Sequence, residues 1–281
     1  MDDKRPETVI GSKSFTAVAV NCAAKAGEYI KSRFGSVREP HVKSTVHDLV
    51  TEVDKSAERL IRNLIGTHFP DHAFLGEEGV EPGPRAAAAA VSQAVEAEYL
   101  WIVDPIDGTT NFVHGFPFYA VSIALARRGQ VIVGVVYDPS RDELFVAERG
   151  KGAYVHGKKM SVSAERTLGE SLLATGFPTA PDELHANMRG MQALAPKVRN
   201  LRVAGSAALH LAYVAAGRLS GVWENNLNAW DIAAGSLLVE EAGGRITGLS
   251  GEPFDLRVRD VVATNGRIHD ELLAALRDAK G

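Results

Sequence analysis

Asp104-Pro-Ile-Asp107-Gly-Thr-Thr110 places two carboxylates three residues apart, directly after an apolar run, residues 99–103, that predicts a buried strand. At about 5 Å and an effective dielectric of about 20, two such charges repel each other by roughly 3 kcal/mol, so we expect a cation beside them. The acids are predicted to leave the strand at its C-terminal end, where open α/β sheets place their ligands. The stretch therefore predicts an α/β fold with a metal site at a strand end.

The residues after Asp107 predict anion binding. Gly108 lets the backbone come close to a ligand, and the residues that follow it are predicted to open a helix whose free N–H groups attract phosphate. The whole stretch thus predicts a site that holds a metal ion beside a phosphate group.

Composition narrows the class of protein. The chain has 281 residues, of which 45% are hydrophobic and 23% charged, with a net charge of -4. This balance argues against a general nucleic-acid or membrane-surface binder and leaves a small charged substrate as the expected partner. Cys22 is the only cysteine, so no internal disulfide is possible. No signal peptide and no apolar run of membrane-spanning length are visible, and we expect a cytoplasmic protein.

Hydrophobic periodicity predicts alternating helices and strands in one continuous unit, residues 1–281, with possible sub-lobes at about 1–157 and 158–281. Helical spacing indicates helices at residues 15–34, 55–67, 206–216, 231–241 and 269–280, and an Ala-rich helix or insertion at 86–90. Strands are predicted at 73–75, 172–175, 221–223 and 261–263, together with an antiparallel meander of runs at 121–125, 131–137, 143–147 and 153–155.

Further carboxylates follow or precede predicted elements, at Asp54, Glu77 with Glu78, and Asp231. Oxygen ligands without His or Cys select a hard cation, Mg²⁺ first and Mn²⁺ second. Zinc is not expected, because no His or Cys pair shows ligand spacing.

Each acid also has a simpler structural interpretation. Asp54 and Asp231 would serve as helix N-caps, and Glu77-Glu78 as a solvated turn. Asp104-Pro105 would initiate a turn, and Glu224 would be a surface charge at a strand end.

Two long motifs in the chain resemble the signatures of the inositol monophosphatase family. They are Trp101-Ile-Val-Asp-Pro-Ile-Asp-Gly-Thr-Thr-Asn-Phe-Val-His114 and Trp230-Asp-Ile-Ala-Ala-Gly-Ser-Leu-Leu-Val-Glu-Glu-Ala-Gly-Gly244. Residues 43–54 and Gly76-Glu-Glu78 match the family in the same order, and the likeness spans residues 15–280. The resemblance implies an αβαβα sandwich, similar to that of fructose bisphosphatase, that hydrolyses phosphate monoesters with Mg²⁺.

Carried over position by position, the resemblance implies the metal ligands and the catalytic groups. The ligands of two or three Mg²⁺ ions, with Mn²⁺ as a possible substitute, would be Glu77, Asp104, Asp107, Asp231 and the carbonyl of Ile106. Asp54 and Thr109 would orient and deprotonate the attacking water, which Glu77 helps to hold. Lys43 and Asp48 would support the site.

The resemblance also implies the substrate contacts, which are Asp107, Gly108, Thr109, Gly205, Ser206, Ala207, Glu224 and Asp231. Glu224 stands where inositol-hydrolysing members carry a glutamate that accepts hydroxyl hydrogen bonds. The segment 225–229, however, lacks the Gly and Pro that many bacterial relatives show before Trp-Asp.

We therefore expect a phosphatase that acts on myo-inositol monophosphate or on related sugar and polyol phosphates. Phosphatases of the same fold that act on histidinol phosphate, fructose 1,6-bisphosphate or 3′-phosphoadenosine 5′-phosphate are the alternatives. An alternative of another class is a regulatory binding protein that retains the fold. A homodimer and inhibition by lithium are implied by the resemblance alone.

Overall fold

A computed structural model describes residues 14–35, 41–42, 49–178 and 181–279. The helices in these ranges are α1 (Phe15–Arg33), α2 (Glu52–His68), α3 (Pro84–Ala94), α4 (Thr109–Val113), α5 (Pro181–Leu194), α6 (Ala207–Ala215), α7 (Ala229–Glu241) and α8 (His269–Asp278). The strands are β1 (His41–Val42), β2 (Leu49–Val50), β3 (Ala73–Gly76), β4 (Tyr99–Asp107), β5 (Ala120–Arg127), β6 (Gln130–Asp138), β7 (Glu143–Glu148), β8 (Gly152–Val155), β9 (Lys158–Lys159), β10 (Leu172–Thr175), β11 (Asn200–Val203), β12 (Gly221–Glu224), β13 (Arg245–Gly248) and β14 (Val261–Thr264). Lys43 and Asp48 lie outside the described residues.

The first sheet has the order β3-β4-β5-β6-β7-β8-β9. Only β3 and β4 pair in parallel among its strands, and the rest form the antiparallel meander that the turn residues predict. The second sheet has the order β11-β10-β12-β14-β13 and mixes both directions. The strand that carries Asp104 therefore lies in a mainly antiparallel sheet, and it pairs in parallel with β3 alone.

Successive side chains of β4 point to opposite faces of the first sheet, as the strand period of two requires. Trp101 and Val103 pack with α1 and α2 in one core cluster, whereas Leu100 and Ile102 pack with α6 and α7 in another. Helices therefore cover both faces of this sheet, which explains why β4 is apolar without alternation.

The second sheet divides its side chains in the same way. Val222 of β12 joins the cluster of α6 and α7, while its neighbour Trp223 packs against α5 and α8. The five layers, in order, are therefore α1 with α2, the first sheet, α6 with α7, the second sheet, and α5 with α8. This order confirms the αβαβα sandwich. The division into two sub-lobes stays a prediction.

The close packing of α7 on the first sheet depends on one glycine. A β-carbon added at Gly134 of β6 would lie 2.6 Å from the carbonyl oxygen of Ala234 in α7. The helix backbone thus rests directly on the strand, and this contact brings the start of α7 beside the end of β4.

His269, at the start of α8, is a fully buried ring in the second half of the chain. Its Nε2 lies 2.9 Å from Thr247 Oγ1 and its Nδ1 lies 3.0 Å from Thr264 Oγ1. Burial, aided by the positive charge of Arg245 and opposed by Asp270, lowers its pKa to about 4. The neutral ring therefore joins the second sheet to α8.

Several predicted boundaries shift by a few residues. The strand predicted at 99–103 continues to Asp107, so the carboxylates lie within β4, and Asp104-Pro105 does not initiate a turn. The Ala-rich segment is a regular helix, α3, with Pro84 in its first turn. Within the described ranges, no helix combines the length and apolar character that a membrane span requires.

Candidate active site

Asp104, Asp107 and Asp231 form a cluster in which one carboxylate oxygen from each residue lies within 4.8 Å of the others. In a regular strand, residues three apart point to opposite faces. Between Asp104 and Asp107, however, β4 contains one more residue than its partner β5, because Asp104 pairs with Ser122 and Asp107 with Ala120. This β-bulge brings the two acids to the same side of β4, although they are an odd number of residues apart.

Asp107 is held in place by the beginning of α6. Its Oδ2 accepts hydrogen bonds from Ser206 Oγ and, at 2.7 Å, from the backbone N–H of Ala208. Ser206 is itself the N-cap of α6. Asp104 is fixed more locally, because its Oδ1 accepts a 2.9 Å hydrogen bond from the N–H of Ile106.

Asp54 and Asp231 occupy equivalent places in two helices. Each is the third helical residue and accepts a hydrogen bond from the backbone N–H of the N-cap residue, Thr51 at 2.9 Å and Asn228 at 2.7 Å. The interpretation of these acids as N-caps is therefore wrong in detail, since the caps lie three residues earlier. Reaching back to the cap N–H orients each carboxylate.

The hydroxyl of Thr109 lies between Asp54 and the end of β4. Thr109 Oγ1 is 3.1 Å from Asp54 Oδ1 and 3.0 Å from the carbonyl oxygen of Ile106. Thr51 occupies the other oxygen of Asp54 with both its N–H and its hydroxyl. Asp54 Oδ1 is therefore the oxygen that faces Thr109.

Two glycines let backbone segments approach closely beside the acids. Gly108 has φ +97°, and a β-carbon there would lie 3.0 Å from the carbonyl oxygen of Gly205. Gly205 has φ +84°, and a β-carbon on it would lie 3.0 Å from Asn111 Nδ2. Both positions require glycine for conformation and for space.

The carboxyl groups repel one another in a buried setting. Burial and then the charges of Glu77, Asp107 and Asp231 raise the pKa of Asp104 well above its usual range. Burial likewise raises the pKa of Asp231, and it raises that of Asp107 to about 7 against the lowering effect of its hydrogen bonds. A divalent cation would relieve both the desolvation and the repulsion, and the all-oxygen donor set suits a hard ion. These residues therefore fit a metal ion.

Glu77 begins a short 3₁₀ turn, Glu77–Gly79, immediately after β3, the strand that pairs in parallel with β4. It lines the same cleft as the three aspartates, and its charge raises the pKa values of Asp54, Asp104 and Asp231. The alternative of a solvated turn therefore misses the electrostatic contact of Glu77 with the cluster.

A cleft of about 310 Å³ opens above the cluster. The predicted site residues that line it are Glu77, Asp104, Ile106, Asp107, Gly108, Thr109, Gly205, Ala207, Glu224 and Asp231. Asp54 and Ser206 are buried and are not among the residues that line the cleft. Glu224 is only 6% exposed, so its interpretation as a surface charge was wrong. Packing between β12 and α6 buries it, which its position at a strand end does not reveal.

The profile of the inositol monophosphatase family matches residues 12–281. The chain belongs to this family. It is 45% identical to inositol monophosphatase 2 of Solanum lycopersicum over 272 residues, which are 95% of this chain and 100% of the relative.

Solved structures in the family have the same fold. Extragenic suppressor protein suhB from Bartonella henselae superposes with a TM-score of 0.84 at 40% identity, covering 93% of this chain and 97% of that one. An IMPase from Thermotoga maritima gives a TM-score of 0.83 at 34% identity, covering 94% and 97%. The resemblance inferred from the two motifs is thus confirmed.

In this family member, three residues of the site escaped the sequence analysis. His210 and Gly176 contact Glu224, and Arg259 lines the cleft beside Asn226 and donates to its carbonyl oxygen at 3.3 Å. None of them belongs to a recognisable local motif. Arg259 also donates hydrogen bonds to the side-chain oxygens of Asn226 and Asn228, and it thereby holds the segment 225–229 from the neighbouring loop.

Proposed function

We propose that this protein is a Mg²⁺-dependent phosphatase that hydrolyses myo-inositol monophosphate to inositol and phosphate. The observation that carries the proposal is the convergence of three carboxylates, Asp104 and Asp107 of β4 and the distant Asp231 of α7, at the floor of one cleft. The related proteins named inositol monophosphatase support the choice of substrate.

The proposed metal ligands are these three aspartates, Glu77 and the carbonyl of Ile106, with two or three Mg²⁺ ions bound. Mn²⁺ is the proposed substitute, because it accepts the same oxygen ligands. When bound, such ions lower the pKa of coordinated water, neutralise the phosphate and stabilise the leaving alkoxide.

Asp54 and Thr109 are proposed to handle the proton of the attacking water. Thr109 Oγ1 would accept a proton from the attacking water as its own hydroxyl hydrogen moves to Asp54 Oδ1, the oxygen that the two donors of Thr51 leave available. Burial raises the pKa of Asp54, which makes its carboxylate a stronger base than that of a solvated aspartate. The pair therefore accepts the proton without a covalent intermediate.

The phosphate and the polyol are proposed to bind on different walls of the cleft. Asp107, Gly108 and Thr109 contact the phosphate, where the positive φ of Gly108 lets the backbone approach. Gly205, Ser206 and Ala207 flank the polyol; Ser206 acts by holding Asp107 from behind. Glu224, with Asp231, accepts hydrogen bonds from ring hydroxyls.

A phosphate-release assay over four substrates tests the proposal. The panel is myo-inositol 1-phosphate, histidinol phosphate, fructose 1,6-bisphosphate and 3′-phosphoadenosine 5′-phosphate, each with Mg²⁺ and again after chelation. We expect the highest kcat/KM for the inositol phosphate and loss of hydrolysis on chelation. Preference for another member of the panel would contradict the substrate. Folded protein that hydrolyses none of them would favour the regulatory binding function. Homodimerisation, a cytoplasmic location and lithium inhibition stay predictions.

A further inference from the structure

His210 and Gly176 lie on either side of the Glu224 carboxylate, one beside each oxygen. Oε1 lies 2.7 Å from His210 Nδ1, across from β12 on helix α6. Oε2 lies against Gly176, where an added β-carbon would collide with it. Since an ionised carboxylate only accepts hydrogen bonds, Nδ1 is the donor in the pair with His210.

Among the described residues, the His210 side chain makes no other hydrogen bond, and its charge also acts to lower the pKa of Asp107. The ring is 1% exposed, and its Nε2 makes no hydrogen bond there. Phe118 packs against it, with the ring centroids 5.6 Å apart. A buried histidine with an unsatisfied nitrogen costs free energy that an apolar residue would not. The ring's one polar contact is with the acid that lines the cleft.

Gly176 supports the same conclusion independently. It follows β10 and lines the cleft beside Glu224. Its φ is not in the left-handed region, so the conformation does not require glycine there. A β-carbon added at Gly176 would meet the carboxylate of Glu224 and would lie 2.9 Å from its Cδ atom. The position is therefore tight because of this carboxylate.

We propose that His210 and Gly176 are positioning residues that fix the carboxylate of Glu224 for the recognition of substrate hydroxyl groups. This inference rests on the proposed function and extends it, because it says how the substrate preference is maintained. Helix α6 would then serve both ends of the substrate, with its first turn holding Asp107 and its second turn holding Glu224. A carboxylate held in advance loses little conformational freedom when a polyol binds.

The test uses two substrates that share a phosphate ester and differ in hydroxyl groups. These are myo-inositol 1-phosphate and p-nitrophenyl phosphate, each assayed with Mg²⁺ for KM and kcat. His210→Leu keeps the volume of the ring and removes the donor, whereas His210→Asn keeps an N–H donor near the place of Nδ1. Gly176→Ala displaces Glu224 from the other side and leaves His210 intact.

For His210→Leu and Gly176→Ala, we expect the KM for the inositol phosphate to rise about tenfold, with kcat within about threefold of wild type. The parameters for p-nitrophenyl phosphate should stay within about threefold, and His210→Asn should restore the KM for the inositol phosphate. If His210 acts through Glu224, His210→Leu should add nothing to the KM of Glu224→Ala.

Equal losses for both substrates, additive effects in the double variant, or an unchanged KM in folded His210→Leu and Gly176→Ala would overturn the proposal. Thermal unfolding establishes that each variant folds. If His210→Leu does not fold, Gly176→Ala and His210→Asn still decide the outcome. The wild-type measurements test the proposed function separately, because an enzyme that does not prefer the inositol phosphate would fail before any variant is compared.

Discussion

Asp107→Asn should raise the stability of the metal-free protein and lower its phosphatase activity. The carboxylate oxygens of Asp104, Asp107 and Asp231 lie within 4.8 Å of one another, and at an effective dielectric of about 20 each pair repels by roughly 3.5 kcal/mol. Protons bound to these buried groups already relieve part of that repulsion, as the raised pKa values indicate. Removing one charge from the metal-free protein should therefore stabilise it by about 1–2 kcal/mol.

The amide introduced by Asp107→Asn would retain a carbonyl oxygen for the donors of Ser206 and Ala208, so the local fold should survive. With chelator present, we expect the variant to unfold about 2–5 °C above wild type. With Mg²⁺ present, wild type should gain stability and the variant little, while phosphate release falls at least about 100-fold.

Asp270→Asn is the matched control, because the side chain of Asp270 is 84% exposed and pairs only at the surface. It should change neither the unfolding temperature nor the response to Mg²⁺. If Asp107→Asn kept its stabilisation by Mg²⁺ and hydrolysed the substrate within about tenfold of wild type, the shared metal site would be refuted.

Three further results are expected. Thr109→Val should lower kcat at least about 100-fold in steady-state assays, because the hydrogen bond to Asp54 is lost. Thr109→Ser keeps the hydroxyl group, so its kcat should stay within about tenfold of wild type. Similar kcat values for the two variants would exclude the proton path. Gly134→Ala should lower the free energy of unfolding, measured in urea, by about 3 kcal/mol, since the new methyl group meets the backbone of α7. Gly66→Ala is the control, because Gly66 lies in α2 with open space around it, and this variant should raise the free energy of unfolding by up to about 1 kcal/mol. His269 should make the protein less stable as pH falls from 6.5 to about 4, because the folded state disfavours the charged ring while the unfolded state accepts it. The free energy of unfolding should fall by about 3 kcal/mol over that window. The urea midpoint of His269→Gln should fall less steeply with pH than that of wild type.

Much of the fold could be predicted because the local signals agree with the packing. Apolar periodicity located α1 and α8, and turn residues located the meander of β5 to β8. The errors are of two kinds: α5, β11 and β13 were not predicted, and several element ends were misplaced. The predicted start of the second helix missed Thr51 as its cap, because a capping box depends on a side chain three residues inside the helix.

For the candidate site as well, local signals predicted some features and missed others. Residue types indicated a cation beside Asp104 and Asp107, since two acids three residues apart after an apolar run repel each other. The burial of Glu224 was missed, because whether an acid at a strand end meets water depends on what packs over it. His210 and Gly176 carry no local signal, since each acts through a residue more than ten positions away.

By itself, the sequence indicated the alternation of helices and strands and an all-oxygen set of candidate metal ligands, because these depend on residue type and on short-range periodicity. The resemblance of its two motifs to the inositol monophosphatase family implied the layered arrangement. Only the tertiary structure showed how Asp104, Asp107 and Asp231 come together. Asp231 comes to Asp104 because α7 rests on β6 at Gly134, and the bulge in β4 brings Asp107 to the same side. Contacts between residues more than one hundred positions apart follow from the packing of two sheets around shared helices, and no local pattern encodes that geometry.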